Sequence, residues 1–324
     1  LLDVVSDLYL NPLLKKEEIE KEKGVIVDEI NMYEDLPMRK VHDVWAELLY
    51  GNTPAGRSIA GTREIVRGLS REDILKYRTA HYVARATTVI VAGNVTPKDA
   101  FKSITKQFKG IHAGKKSSKE KTKEVQSSPN VATLYKETDQ THLVLGVRSF
   151  SVKDKRNFVM AVLSGVLGSG MSSRLFRKLR DEMGVGYYVR AENSLFTDHG
   201  YLSVSTGVAN DRTEEVVRAV LAEFVLLKNA LVDETELNNV KEHLVGLMYL
   251  GLESSDSVAE FCGVQELLRN EIKTPKEKER LIRAVTAVEV RTMARKIFTD
   301  KNLNLALVGP FKDSAQFKNI LTVA

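Results

Sequence analysis

The stretch 70–95, SREDILKYRTAHYVARATTVIVAGNV, has a second version at 286–311, TAVEVRTMARKIFTDKNLNLALVGPF. Each reads as a hydroxyl-capped helix followed by an apolar, strand-like run that ends in glycine. Cap and glycine are displaced equally, 286 − 70 = 216 and 309 − 93 = 216. A helix follows each run, in KDAFKSITKQFKGI and in DSAQFKNIL. A period this long is not a solenoid unit; it makes two similar domains from one chain.

The second copy begins near Val131 with strand-like VATLYKE and THLVLGVRS, then a helix from Asn157 to Leu167. Next come GSGMSSRLFRKLRDEMG, the strands YYVRAENSLF and GYLSVSTGV, and a long helix over 213–228. From Val131 to Gly309 is 309 − 131 = 178 residues, whereas the first copy reaches Gly93 from Leu1. The start of the first copy is therefore expected about 178 − 93 = 85 residues upstream of Leu1. The expected fold is α+β: two homologous domains, each a sheet covered by helices, the first lacking its N-terminal part. Boundaries fall at 1–112, a Lys/Ser-rich linker over 113–130, and 131–324.

Composition removes several functions. With 43% hydrophobic and 28% charged residues the chain is globular, and it has no apolar run long enough for a membrane-spanning helix. The single Cys262 excludes an internal disulfide and a cysteine metal site. The net charge of +5 is concentrated in KKSSKEKTKEVQSSP, where five lysines crowd together. Two glutamates interrupt them and no aromatics interleave, so a solvated linker is expected rather than a nucleic-acid surface.

The segment EKEKGVIVDEI (20–30) reads as a helix. Seven residues at about 100° each return Glu29 to within roughly 20° of Glu22. Ile19, Ile26 and Tyr33 share that stripe, so it is expected to be the buried face, with Lys21 and Lys23 pointing elsewhere. The counterpart in the second copy, ETELNNVKEHLVGLMYL, matches at an offset of 218 and places Val240 and Leu247 where the acids stand. Buried unpaired carboxylates cost several kcal/mol, so metal or histidine partners are expected for Glu22 and Glu29.

These residues resemble the M16 zinc metallopeptidases (inverzincins), the group of pitrilysin and insulin-degrading enzyme. The likeness runs through EIEKEKGVIVDEINMYEDLP, YGNTPAGRSIAGTREIV, LSREDILKYRTAHY and VIVAGNV, and covers nearly the whole chain. In that family an H-x-x-E-H helix supplies two zinc ligands and the general base, and a glutamate downstream completes the site. The resemblance implies that Glu29 is the zinc ligand and Glu22 the acid supporting the site, counted with the catalytic residues. None of His42, His81, His112, His142, His199 and His243 lies in an H-x-x-E-H, and each is expected to be an ordinary surface or satisfied histidine. The motif is expected upstream of Leu1, leaving this chain by itself without proteolytic activity.

The resemblance also implies that Arg180 and Tyr187, in RDEMGVGY, bind the substrate backbone, Tyr187 polarising the scissile carbonyl. Tyr188 is the neighbouring alternative. LGSGMSSRLF (167–176) lacks the G-K-[ST] ending of a phosphate loop, and Ser172 or Ser173 is expected to cap the next helix. The function implied is a zinc-dependent endopeptidase cleaving peptides or unfolded polypeptides, with Zn2+ as cofactor. Its implied partners are that substrate and a second copy or a paired M16 subunit, with no nucleic acid and no membrane; the expected location is cytoplasmic. The alternatives are a non-catalytic M16-like subunit that binds peptide or scaffolds a catalytic chain, and a structural subunit like the respiratory core proteins.

Overall fold

A computed structural model describes residues 1–323. The helices are α1 (Leu2–Leu10), α2 (Lys16–Asp35), α3 (Pro37–Tyr50), α4 (Arg63–Gly68), α5 (Arg71–His81), α6 (Pro97–Gln107), α7 (Asn157–Gly168), α8 (Arg174–Phe176), α9 (Thr213–Asn229), α10 (Glu234–Leu250), α11 (Ser255–Arg269), α12 (Pro275–Arg283), α13 (Ala287–Ile297) and α14 (Ala315–Lys318). The strands are β1 (Asn130–Tyr135), β2 (Gln140–Arg148), β3 (Val189–Leu195), β4 (Gly200–Ala209) and β5 (Leu303–Gly309). The fold is α+β. Both hydroxyl caps of the repeat are present: Ser70 and Asp73 form a capping box at α5, and Thr286 and Glu289 form one at α13. Among the described residues no helix is long and apolar enough to cross a membrane.

The chain divides into two compact units that interleave along the sequence. One comprises Leu1–Met32, Ser58–Glu120 and Gly251–Asn270; the other comprises Tyr33–Arg57, Lys121–Leu250 and Glu271–Ala324.

The second unit holds the sheet, in the order β1-β5-β2-β4-β3, with β1 parallel to β5 and the other pairs antiparallel. Leu143, Leu145 and Val147 of β2, with Leu303, Leu305 and Leu307 of β5, face a core shared with α7, α9 and α13. The alternate residues Val144, Ala306 and Val308 face Val41, Trp45 and Leu49 of α3. Covering both faces makes β2 and β5 apolar at nearly every position, which is why they read as continuous runs in the sequence.

The interleaving has a symmetrical origin. Adding 218 to the bounds of α3 gives 37 + 218 = 255 and 50 + 218 = 268, which is α11. Helix α3, from the first copy, covers the second copy's sheet. Helix α11, from the second copy, packs in the other unit, where a Cβ on Gly263 would lie 2.3 Å from Ile90 Cδ1. By the offset of 216, Ile90 is the counterpart of Ala306 (306 − 216), and Gly263 is the counterpart of Trp45 (263 − 218). The large residue belongs to the helix in one unit and to the strand-like run in the other.

The strand expected to end at Gly93 is not formed. Among the described residues 87–93 joins no sheet, and Ile90 and Val91 are exposed. Its counterpart β5 gains its ladder from β1 on one side and β2 on the other. Strand propensity without flanking partners does not hold an extended run in a sheet. The first unit is held instead by helix packing. Arg78 donates to the carbonyls of Tyr9 and Leu10 at the end of α1, where a cation also meets the negative end of the helix dipole. The Tyr9 ring packs against Tyr82 and Phe108.

The later part of the expected linker is tied to the second unit. Thr122 donates its N–H to Asp198 Oδ2 (2.8 Å), Glu124 pairs with Arg148 (3.3 Å), and Gln126 donates to the Leu303 carbonyl (3.1 Å). Residues 122–126 are therefore a strap fastened along the second unit.

Candidate functional site

Helix α2 does not turn its acids inward. Its buried residues are Val27 and Ile30, which cluster with Val66, Ile26 and Ala60. Glu22 and Glu29 are exposed, Tyr33 on the same stripe is 39% exposed, and Ile19 and Ile26 are only half-buried. The inward stripe is 19, 23, 26, 27 and 30, centred roughly a quarter-turn from the acids. Lys23, expected to point away, is 13% exposed at its side chain and reaches Glu20 (2.8 Å) and the Arg67 carbonyl at the end of α4 (3.4 Å). A long stem with a charged tip lies at a buried edge at little cost, so the lysine occupies the place assigned to the glutamates. Leu247, taken as the core counterpart of Glu29, is itself 51% exposed.

The carboxylates thus have no desolvation cost that a metal must offset. Among the described residues, no group of three His, Cys, Asp or Glu side chains is placed to hold a metal ion. A zinc site needs three protein ligands. Two exposed carboxylates on one helix edge fall short, so the donors present do not by themselves fit the zinc ion that the resemblance implies. His42, His81, His112 and His243 are exposed, as expected for surface histidines. His142 is half-buried, and His199 is buried, stacked on Phe196 at 4.5 Å, with Nδ1 near Asp198 Oδ1 (2.8 Å) and Thr122 Oγ1 (3.1 Å). It fastens the strap.

Arg180 and Tyr187, by contrast, are brought together. Arg180 lies in a widened, π-type helical stretch, Arg177–Glu182, that continues α8. Leu175 and Leu179, both fully buried, anchor its inner side and leave Arg180 exposed. Gly184 (φ 64°) and Gly186 (φ 89°) then turn the chain through conformations that other residues adopt only with strain. A Cβ on Gly186 would also come within 3.2 Å of Thr206 Oγ1. The turned segment is tied to β4: Tyr187 N–H donates to the Gly207 carbonyl (3.2 Å), and Thr206 Oγ1 donates to the Tyr188 carbonyl (2.7 Å).

The two adjacent tyrosines have different surroundings. Tyr188 is half-buried, its hydroxyl 3.1 Å from His142 Nδ1 on β2 and its ring stacked on that imidazole. Burial pushes the Tyr188 phenol up to about 12 and holds His142 below its ordinary value. Tyr187 is 72% exposed. Arg180 Nη1 donates to the Tyr187 carbonyl at 3.4 Å, and both residues line an open depression of about 490 Å³. Its other walls are Gly184, Val185, Gly186, Ala209 and Arg212. Arg212 went unnoticed in the sequence because no motif marks it. It sits in the turn Asn210–Arg212 between β4 and α9, with its Nη2 on Glu215 Oε1 (2.9 Å).

The arrangement offers guanidinium and phenol donors at one open surface, the donor types that grip carbonyl and carboxylate oxygens. The glycine-bearing loop ahead of α8 is closed by a local hydrogen bond. Ser173 occupies the N-cap position of α8 but donates its hydroxyl to the Gly170 carbonyl (2.7 Å) and makes no side-chain cap.

Comparison with known proteins is consistent along the chain. Residues 68–244 match the family described as Peptidase M16 inactive domain, and residues 1–63 match Insulinase (Peptidase family M16). An uncharacterized zinc protease of Bacillus subtilis, YmxG, is 34% identical over 311 residues, covering 95% of this chain and 75% of that protein. An uncharacterized zinc protease of Streptomyces coelicolor is 29% identical over 318 residues, covering 96% and 69%. Among solved structures, a protease from Helicobacter pylori superposes with a TM-score of 0.88 at 21% identity, covering 95% of this chain and 77% of that one. A chain of complex III from Candida albicans superposes at 0.86 with 16% identity, covering 99% and 79%. At these identities the two structures establish a shared fold.

Proposed function

From the premise that this chain belongs to peptidase family M16, we propose that it serves a zinc-dependent endopeptidase acting on peptides or unfolded polypeptides. The observation that carries the reading is the shared depression of Arg180 and Tyr187. In this reading an extended peptide lies over the depression. The Arg180 guanidinium donates to a backbone carbonyl, and the exposed Tyr187 hydroxyl is free to donate to the carbonyl next to the reacting bond. A donor at that position gains strength as negative charge grows on the oxygen, which is the requirement for transition-state stabilisation. The zinc ion comes into the reading through the names of the relatives, and Glu22 and Glu29 alone do not make its site.

A second reading has one observation in its favour. Residues 68–244 match the family described as Peptidase M16 inactive domain, as suits a non-catalytic subunit that binds peptide or scaffolds a catalytic chain. The enzyme and the peptide-binding subunit both require peptide binding, and cleavage, if observed, singles out the enzyme. The experiment is anisotropy titration of a labelled disordered polypeptide such as β-casein into the 324-residue chain, beside cleavage of an internally quenched peptide with added zinc. Arg180→Ala and Tyr187→Phe are expected to weaken binding by about three- to ten-fold, the scale of one lost hydrogen bond. Tyr188→Phe serves as the comparison. A Tyr188→Phe loss exceeding that of Tyr187→Phe would show that the wrong tyrosine has been assigned, and cleavage by the chain would remove the non-catalytic reading.

A further inference from the structure

The depression that holds Tyr187 is lined by seven residues, two of them arginines and none an acid. Each arginine retains unused donors. Arg180 makes one hydrogen bond, the 3.4 Å contact to the Tyr187 carbonyl, and has no ion pair among the described residues. Arg212 is held by Glu215 through Nε and Nη2, which fixes the plane of the guanidinium. Its Nη1 has no protein partner among the described residues. Both arginines sit on well-anchored backbone: Arg180 follows the buried Leu179, and Arg212 precedes the buried Thr213 at the start of α9. The floor between them, Val185, Gly186 and Ala209, offers small apolar groups and no competing carboxylate.

We infer that Arg212, acting with Arg180, recognises a carboxylate on the peptide that occupies this depression, and so determines specificity. The inference rests on the peptide-binding reading above and adds the chemistry of what is preferred. A guanidinium fork matches the two oxygens of a carboxylate, and two of them at one surface favour an acidic group over its amide through both charge and hydrogen-bond geometry. Glu215 neutralises part of the Arg212 charge but leaves its donor geometry in place. The carboxylate comes either from an acidic side chain within the peptide or from a free C-terminus, since both present the same pair of oxygens. Because the site is open to water, the preference is moderate and falls as salt is raised.

The test uses the 324-residue chain and three fluorescent peptides of one sequence. The first has an internal Glu and an amidated C-terminus, the second an internal Gln and a free C-terminus, and the third an internal Gln and an amidated C-terminus. Anisotropy titration is expected to give at least one of the first two an affinity about five- to ten-fold above the third, the winner identifying the source. Arg212→Gln is expected to abolish that advantage, and Arg212→Lys to restore only part of it, because an ammonium lacks the fork. Circular dichroism of each variant establishes that the fold is kept. Equal affinities for all three peptides would overturn the inference while leaving peptide binding intact. A preference that survives Arg212→Gln would overturn it too. No binding of any of the three would overturn both it and the reading beneath it.

Discussion

Replacing Trp45 with alanine should weaken the sheet-bearing unit more than its distance from any candidate site would lead one to expect. Trp45 is fully buried between α3 and the sheet, among Val41, Leu49, Val144, Ala306 and Val308, with its ring edge-on to Tyr201 at 5.6 Å. Removing an indole from a packed core costs about 3–5 kcal/mol. The Trp45 Nε1 is buried without a hydrogen-bond partner, and deleting an unsatisfied donor returns about 1–3 kcal/mol. The net cost for Trp45→Ala is then centred on about 2 kcal/mol. Trp45→Phe keeps most of the ring and discards the orphan N–H, so it should cost under about 1 kcal/mol. Urea unfolding followed by circular dichroism at 222 nm suits both variants, because Trp45 is the sole tryptophan and its fluorescence is lost with it. With a slope of about 2–3 kcal/mol per molar urea, Trp45→Ala should lower the midpoint by about 1 M. If Trp45→Phe cost as much as Trp45→Ala, the orphan-donor reasoning would be wrong. An unchanged midpoint in Trp45→Ala would mean that α3 does not cover the sheet in solution.

Hydrogen exchange should divide the two copies of the repeated run. Amides in 87–93 are expected to exchange orders of magnitude faster than those of Leu303–Gly309, and equal protection would mean that 87–93 is paired after all. Acid should weaken the second unit partly through His142, whose burial lowers its pKa below 6.5. The folded protein keeps that imidazole neutral while the unfolded chain takes up the proton, so its contribution is complete above 6.5 and is lost as pH falls toward the folded value. The urea midpoint should therefore fall between about pH 7.5 and about pH 5.5 in the parent chain and fall less in His142→Gln, an identical pH slope in both being the contrary result.

The elements of the second copy were legible because each carries its own local signal. The hydroxyl cap at Thr286 and the apolar runs of β2 and β5 are all short-range features. What misled was the direction of helices. On α2 the stripe through Ile19 and Ile26 admits two solutions that differ by less than a third of a turn, one passing through Glu22 and Glu29 and the other through Lys23 and Ile30. Hydrophobicity favours neither, because a lysine stem packs like an apolar chain. The structure takes the second. The run 87–93 failed for a different reason: a strand exists through its neighbours, and its own residues do not reveal whether those neighbours are there. The exchange of α3 and α11 was invisible for the same cause, since nothing within either helix records which sheet it will cover. Arg180 and Tyr187 were reached through the family resemblance, whereas Arg212 reaches the same depression from 25 residues beyond Tyr187 (212 − 187) with no motif to announce it.

The exchanged helices also impose a timetable on synthesis. Helix α3 leaves the ribosome with Val41, Trp45 and Leu49 on one side, yet β5, which those residues cover, begins 303 − 50 = 253 residues later. At about 5–20 residues per second, that is a wait of roughly 13–50 s. Ile90 waits in turn for Gly263, 173 residues on (263 − 90), or roughly 9–35 s. Throughout that interval the nascent chain presents an apolar helix face and an unpaired strand-like run, which is the kind of surface that trigger-type chaperones bind and that other nascent chains adhere to. A ribosome stalled between residue 50 and the end of β5 therefore releases a sticky intermediate, and the yield of this protein should respond to translation speed and chaperone supply more steeply than its equilibrium stability alone would dictate.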